Sequence, residues 1–296
     1  MKKLIVSFIA LLSLIAILCT GCSVIFHVAG TGKIVEKAYD FTDFTSVEIS
    51  DAFKYEVIQS GSYNVVVSAH ENLFDHLDIH QSGNTLYIGL KLGHFNDADT
   101  MVTVTMPQLN KLVVSGACNG NATGFDSNDG LEITVSGASK LNMNLKAGQT
   151  GLDLSGAAKI TGNLTSTDTR ITLSGSSNLN MTLKTGKTGM DISGSSKVTG
   201  TLQALDSQFK LSGAGNCELT GSAGSTLIEA SGSSKMNSSG LVLKSADVKL
   251  TGASYADINT DGTLNINLSG SSGLDYTGNP TIYKMDISGA SKINHK

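Results

Sequence analysis

Residues Leu152–Leu164 read LDLSGAAKITGNL, and nineteen residues later Ile171–Leu183 read ITLSGSSNLNMTL. Each phrase carries two runs that are apolar at every second position, joined by a Ser-Gly and two further small residues. Alternation with period two marks a strand with one buried face. A glycine followed by small side chains suits a tight corner, because glycine adopts backbone angles that bulkier residues resist. The phrase therefore reads strand, corner, strand.

Working outward, the corner glycine recurs at Gly116, Gly137, Gly156, Gly175, Gly194, Gly213, Gly232, Gly252, Gly270 and Gly289, at spacings of 18 to 21 residues. A near-constant period over ten copies predicts an all-β fold, a parallel β-helix (β-solenoid) with coils of about 19 residues. Two and four residues before each glycine the columns are apolar, from Leu112 and Val114 to Met285 and Ile287, and the residue between is polar in nearly every copy. After the corner, Leu141, Ile160, Leu179, Val198, Cys217 and Met236 open a second inward column, continued by Leu145, Leu164, Leu183 and Leu202. Between these, Met143, Gly162, Met181 and Gly200 alternate large with small, an arrangement that lets neighbouring coils interdigitate. A single coil cannot bury its thin apolar face, but stacked coils share one core.

Stacking decides the reading of three polar features. Cys118 and Cys217 lie five coils apart. At a strand spacing of about 4.8 Å that is roughly 24 Å, while a disulfide needs Cα atoms within about 7 Å. Separate thiols are expected, with Cys217 in the core. Ser136, Ser155, Ser174, Ser193, Ser212 and Ser231 should form a ladder of hydroxyls beside the corner. The column three residues after glycine includes Lys140, Lys159, Lys197 and Lys235, interleaved with Asn119, Asn178 and Asn216. The asparagines relieve repulsion between stacked charges, so the column reads as a solvated face, with a ligand-binding stripe as the alternative.

Composition narrows the function. The 296 residues include 33 glycines, two prolines and no tryptophan, and the formal net charge is −4. Few charged side chains and much Ser, Thr and Asn favour stacked β-structure over helices. The acidic balance and the lack of a basic patch argue against nucleic acid as a partner. At the amino terminus Lys2 and Lys3 precede an apolar run from Leu4 to Leu18, then Cys19-Thr20-Gly21-Cys22. The run is short for a membrane span and reads as a secretory signal, an uncleaved signal anchor being the alternative. The site resembles a bacterial lipobox, with Cys19 where an aliphatic residue is usual. The resemblance implies lipid attachment, including palmitate, at Cys22. The expected organisation is a signal peptide over 1–21, a lipid-anchor linker over 22–29, a strand-rich amino-terminal part of the solenoid over 30–111 and the Ser-Gly repeat over 112–296.

Residues 30–110 lack Ser-Gly corners but alternate in SVEISDAFKYEVIQSG, YNVVVSA, NTLYIGLKL and MVTVTMP, with one helical candidate at Glu71–Leu77. GTGKIVEKAYDFTDFTSVEIS, then FKYEVIQSGSYNVVVSAHENLFDHLDIHQSGNTLYIGL, then VTVTMPQLNKLVVSGA, followed by the SGASK and SGSSK corners, resembles the head GIN domain of auto-transporter adhesins. The resemblance covers nearly the whole chain after the signal. It implies a β-solenoid on a secreted or lipid-anchored envelope protein of adhesin-like role, and it supplies no catalytic residue.

Chemical motifs are weak by comparison. His70, Glu71, Asp75, His76, Asp78 and His80 cluster, but His70-Glu71 lacks the second histidine of a zinc helix. GTGKIV from Gly30 ends in Val35 where a dinucleotide fingerprint needs glycine. DSNDG, Asp126–Gly130, is too short for an EF-hand loop and reads as an inserted turn. Asp153 and Asp191 share an outward column with Thr172 between them, about 9.6 Å apart at the strand spacing, the outer limit for an inverting carboxylate pair. No histidine or arginine is expected to join them from adjacent coils.

No catalytic, cofactor-binding or metal-binding residue is assigned, and no cofactor is expected; the one assigned site is the lipid attachment at Cys22. The favoured function is a lipid-anchored envelope protein offering an adhesin-like binding or scaffold surface. The alternatives are a polysaccharide-cleaving β-helix enzyme and a self-stacking structural solenoid. Expected partners are the membrane, through the lipid, a glycan or surface-protein ligand, and further copies by end or edge stacking.

Overall fold

The computed structural model describes residues 27–91, 94–96 and 99–296. Cys22 and the whole signal segment lie outside the described residues. From Lys111 onward the chain is a parallel β-solenoid in which each strand pairs with the strand one repeat later, as Leu152 with Ile171 and Lys159 with Asn178. The inward columns are buried from Leu112 and Val114 to Ile266 and Leu268. In the last coil Met285 and Ile287 are 45% and 42% exposed, because a coil lies on only one side of them.

All ten corner glycines have φ between +65° and +79°. The corners also bond directly to one another: from Gly137 onward the N–H after each glycine donates to the glycine carbonyl one coil below, as Ser195 to Gly175 at 2.8 Å. The alternation of Met143, Gly162, Met181 and Gly200 has a backbone cause besides side-chain volume. Gly162 and Gly200 have φ of +122° and +136°, and an added Cβ would stand 1.9 Å from the carbonyl oxygen of the methionine below.

The hydroxyl ladder differs from the expectation. Ser174, Ser193 and Ser231 donate to backbone carbonyls of the previous coil, Leu154, Leu173 and Leu211, rather than to one another. At the corners the fully buried hydroxyls are those two residues after the glycine, at Ser139, Ser177, Ser196, Ser234 and Ser254. Ser177 and Ser234 fold back to the carbonyls of Ser174 and Ser231, both at 2.8 Å. Cys118 occupies this same column, and Cys217 the next inward one; both are free and buried.

The amino-terminal part joins the solenoid in a different order from its sequence. Its strands are β1 (His27–Ala29), β2 (Ile34–Tyr39), β3 (Ser46–Ile49), β4 (Lys54–Gln59), β5 (Asn64–His70), β6 (Leu77–Ser82), β7 (Thr85–Leu90), β8 (His94–Asn96), β9 (Met101–Met106), β10 (Lys111–Val114) and β11 (Asn119–Asp126). β3 and β4 form the coil directly beneath β10 and β11, and β7 and β9 form the coil beneath that, all in parallel. Beyond them the direction reverses: β6 pairs antiparallel with β7, while β5 pairs antiparallel with both β9 and β2. The expected helix is a 3₁₀ helix, Glu71–His76, turning the chain between β5 and β6.

A further corner hides in this part. Ser50-Asp51-Ala52 stands where later coils have Ser-Gly-Ala, with Asp51 at φ +71° and its carbonyl accepting from the Ala117 N–H. Aspartate is among the few residues with a side chain that visit this region readily. Tyr55, in the next strand, fills the space left by Gly120 above it and donates its hydroxyl to the Lys140 carbonyl at 3.0 Å. Burial pushes the Tyr55 phenol well above its ordinary pKa.

Candidate functional site

Three strands of adjacent coils, Leu131–Val135, Thr150–Leu154 and Asp168–Leu173, with the second half of Asn178–Ile192, place their outward residues on a regular grid. One row runs Glu132, Gly151, Arg170, Gly189 and the next runs Thr134, Asp153, Thr172, Asp191. Residues two apart on a strand face the same side, so Asp168, Arg170 and Thr172 share that surface. Around Arg170, with open space over Gly189 on one side and the Glu132 carboxylate over Gly151 on the other, lies a groove of about 620 Å³, a size in the range of small-ligand sites.

Charge is concentrated in this groove. Its lining includes the carboxylates of Glu132, Asp153 and Asp168 and the cations Arg170 and Lys187. Arg170 is the only arginine of the chain. It overturns the expectation that no arginine would join Asp153, since it lies in the very coil that separates Asp153 from Asp191. The period-two geometry of the strand, already visible at Thr172, was sufficient to place it. Among the described residues none of the five groups forms an ion pair within 4.0 Å. Lys187 has Asp168 and Asp206 in register on either side, whereas Arg170 has glycine on either side. Thr150, Thr169 and Thr188 alternate with these outward residues and share the inward face with Leu152, Ile171 and Met190, so their hydroxyls point into the solenoid rather than into the groove; there Thr188, 4% exposed, has an Oγ1 without a hydrogen-bond partner.

Downstream in the same outward row the charge alternates in sign, Asp191, Lys210, Glu229, Lys249, with Lys249 and Glu229 3.9 Å apart. On the neighbouring face the lysine column falls in register as expected, Lys140 beside Lys159, and Lys197 between Asn178 and Asn216. Lys197 is not unpaired: its Nζ lies 3.4 Å from Glu218, an exposed contact worth ~0–1 kcal/mol.

The remaining motifs have local structural roles. His70 contacts the Gly32 carbonyl, and His80 pairs with Asp78 at 2.9 Å and stacks on Tyr87. Among the described residues no three His, Cys, Asp or Glu side chains converge to hold a metal. GTGKIV leads into a strand, Ile34–Tyr39, with Gly32 at φ +85°. Within DSNDG, Ser127 donates to Asp129, which also accepts from Gln108, and Asp126 pairs with Lys146, as suits an inserted turn.

Solved structures share this architecture. A putative adhesin from Parabacteroides distasonis ATCC 8503 superposes with a TM-score of 0.58 at 19% identity, over 92% of this chain and 100% of that one. A putative lipid binding protein from the same organism gives 0.55 at 17% identity, over 92% and 100%. At these identities the likeness is one of fold. No curated protein matches the chain. With the period, the corners and the amino-terminal strand order in place, the match of residues 43–199 and 169–280 to the family described as "Putative auto-transporter adhesin, head GIN domain" completes the assignment: the chain belongs to the head GIN domain family.

Proposed function

We propose that this protein is an exported, lipid-anchored binding protein of the cell envelope, tethered through Cys22 and presenting the solenoid's outward rows as a non-catalytic adhesive surface. The observation that carries the reading is the form of that surface. Outward side chains stand in straight rows along the coils, and the charged groups around Arg170, none of them in an ion pair within 4.0 Å among the described residues, line an open groove rather than an enclosed site. Acid–base cleavage of a glycan uses two carboxyl groups at a set separation, one protonating the glycosidic oxygen and the other activating water or attacking the sugar. Asp153 and Asp191 are two strand spacings apart with Thr172 between them. Family membership supports an adhesin-like role.

Labelling of expressing cells with a clickable palmitate analogue, followed by adhesion of the purified soluble domain to host and bacterial surfaces, tests the two halves separately. Label should appear on the wild type and vanish in Cys22→Ala. Label retained in that variant removes the anchor. Failure of the soluble domain to adhere to any surface removes the adhesive function.

A further inference from the structure

The groove around Arg170 has a composition that selects its ligand. Carboxylates only accept hydrogen bonds at neutral pH, and guanidinium and ammonium groups only donate. A ligand that displaces water here must therefore offer donors to Glu132, Asp153 and Asp168 and acceptors to Arg170 and Lys187. The groups sit on a grid whose steps are set by the sheet, about 4.8 Å between strands and about 6.8 Å between alternate residues along a strand. A ligand that satisfies both kinds must offer donors and acceptors repeatedly over a short distance. Hydroxyl groups do both at once. The groove lining carries three anionic and two cationic side chains, so it is net negative by one, and the chain as a whole is acidic at −4. A sulfated or polyuronic chain would meet repulsion from Glu132, Asp153 and Asp168.

One further feature fits a sugar. Gly189 puts no side chain beside Arg170, and the space over it is open, with nothing within 4 Å of an added Cβ, so a ring can approach the sheet on that side of the guanidinium; on the other side the Glu132 carboxylate lies over Gly151.

We infer that the groove formed by Glu132, Asp153, Asp168, Arg170 and Lys187 is a binding site for a neutral polyhydroxylated glycan. Asp153 and Glu132 accept from sugar hydroxyls, and Arg170 donates to hydroxyl or ring oxygens. The inference rests on the adhesive reading above and names the ligand class of its surface.

The test is a printed array of neutral oligosaccharides beside their sulfated and uronate-bearing counterparts, probed with the purified wild type, Arg170→Gly and Asp153→Asn. Arg170→Gly copies the residue already present in that row in the two adjacent coils. Bound glycans should be neutral, each variant should weaken binding about tenfold or more through the partner left unsatisfied, and melting temperatures should hold. Binding should change little between about 50 and 500 mM salt, because no net charge is exchanged. Binding confined to acidic glycans and lost with salt overturns the inference. Neutral-glycan binding that both variants leave intact overturns it as well. If no glycan binds while the protein still adheres to periodate-treated cells, the sugar is wrong and the adhesive reading stands; if it adheres to nothing, both fall.

Discussion

Substituting Gly194 by valine tests the corner from which the solenoid is built. Gly194 has φ +67°, and a Cβ placed on it would stand 2.4 Å from the carbonyl oxygen of Gly175 and 3.0 Å from its nitrogen. That carbonyl accepts the Ser195 N–H at 2.8 Å, and the Gly194 carbonyl in turn accepts the Ala214 N–H at 2.8 Å. Valine in the left-handed region costs ~1–2 kcal/mol, and straining the two corner hydrogen bonds adds about 1 kcal/mol each, so the expected loss is about 3–4 kcal/mol. Solenoid stability is built from contributions of adjacent repeats, so the loss should centre on the coils of Gly175, Gly194 and Gly213. Gly189→Ala is the control, since its site is open and its φ ordinary; the change there should stay within ~0.5 kcal/mol. Urea titration followed by circular dichroism measures the loss, and hydrogen exchange resolved by peptide locates it. An unchanged urea midpoint for Gly194→Val, or an equal fall for Gly189→Ala, would refute the corner argument.

Burial pushes the Cys217 thiol up to about 12 and the Cys118 thiol up to about 11. Neither should react with a disulfide reagent at about pH 8 in the folded protein, both should react once it is unfolded, and the stability they contribute should fall only as pH rises from about 9 towards those values. Replacing Lys140, Lys159 and Lys197 together by serine should leave the fold intact, because the three are outward and the only ion pair lost is the exposed one to Glu218; a large fall in melting temperature would show that the column is structural. Lys296 bridges Asp257 and Asp275, both at 2.9 Å, and its hydrogen bond holds the Asp275 carboxyl below its usual range. That stabilisation is present above about pH 4 and lost as pH falls through the depressed value, so the gap in urea midpoint between wild type and Lys296→Ala should close on acidification.

The repeat carried most of the architecture. Strand alternation and the Ser-Gly spacing were sufficient for parallel coils, the inward columns and the separation of Cys118 from Cys217, because a parallel stack with one residue register converts sequence period directly into position. Even so, that logic runs only where the corner is spelled with glycine. Ser50-Asp51-Ala52 performs the same turn, and its conformation emerged from the fold. The threading of β7 and β9 beneath β3 and β4, closed by the reversed strands β5 and β6, has no local signature, since alternation looks the same in parallel and antiparallel pairs.

The groove divides in the same way. Period and register, both legible in the residues, put Asp153 and Asp191 in one row and Arg170 one row away. What tertiary structure alone decided is that Arg170 faces a groove with no ion-pair partner, that Lys197 has one in Glu218, and that the serines after the corner rather than before it are the buried ones. Register determines which backbones are neighbours; the reach of each side chain, and the space left by glycine beside it, determine which charged groups meet.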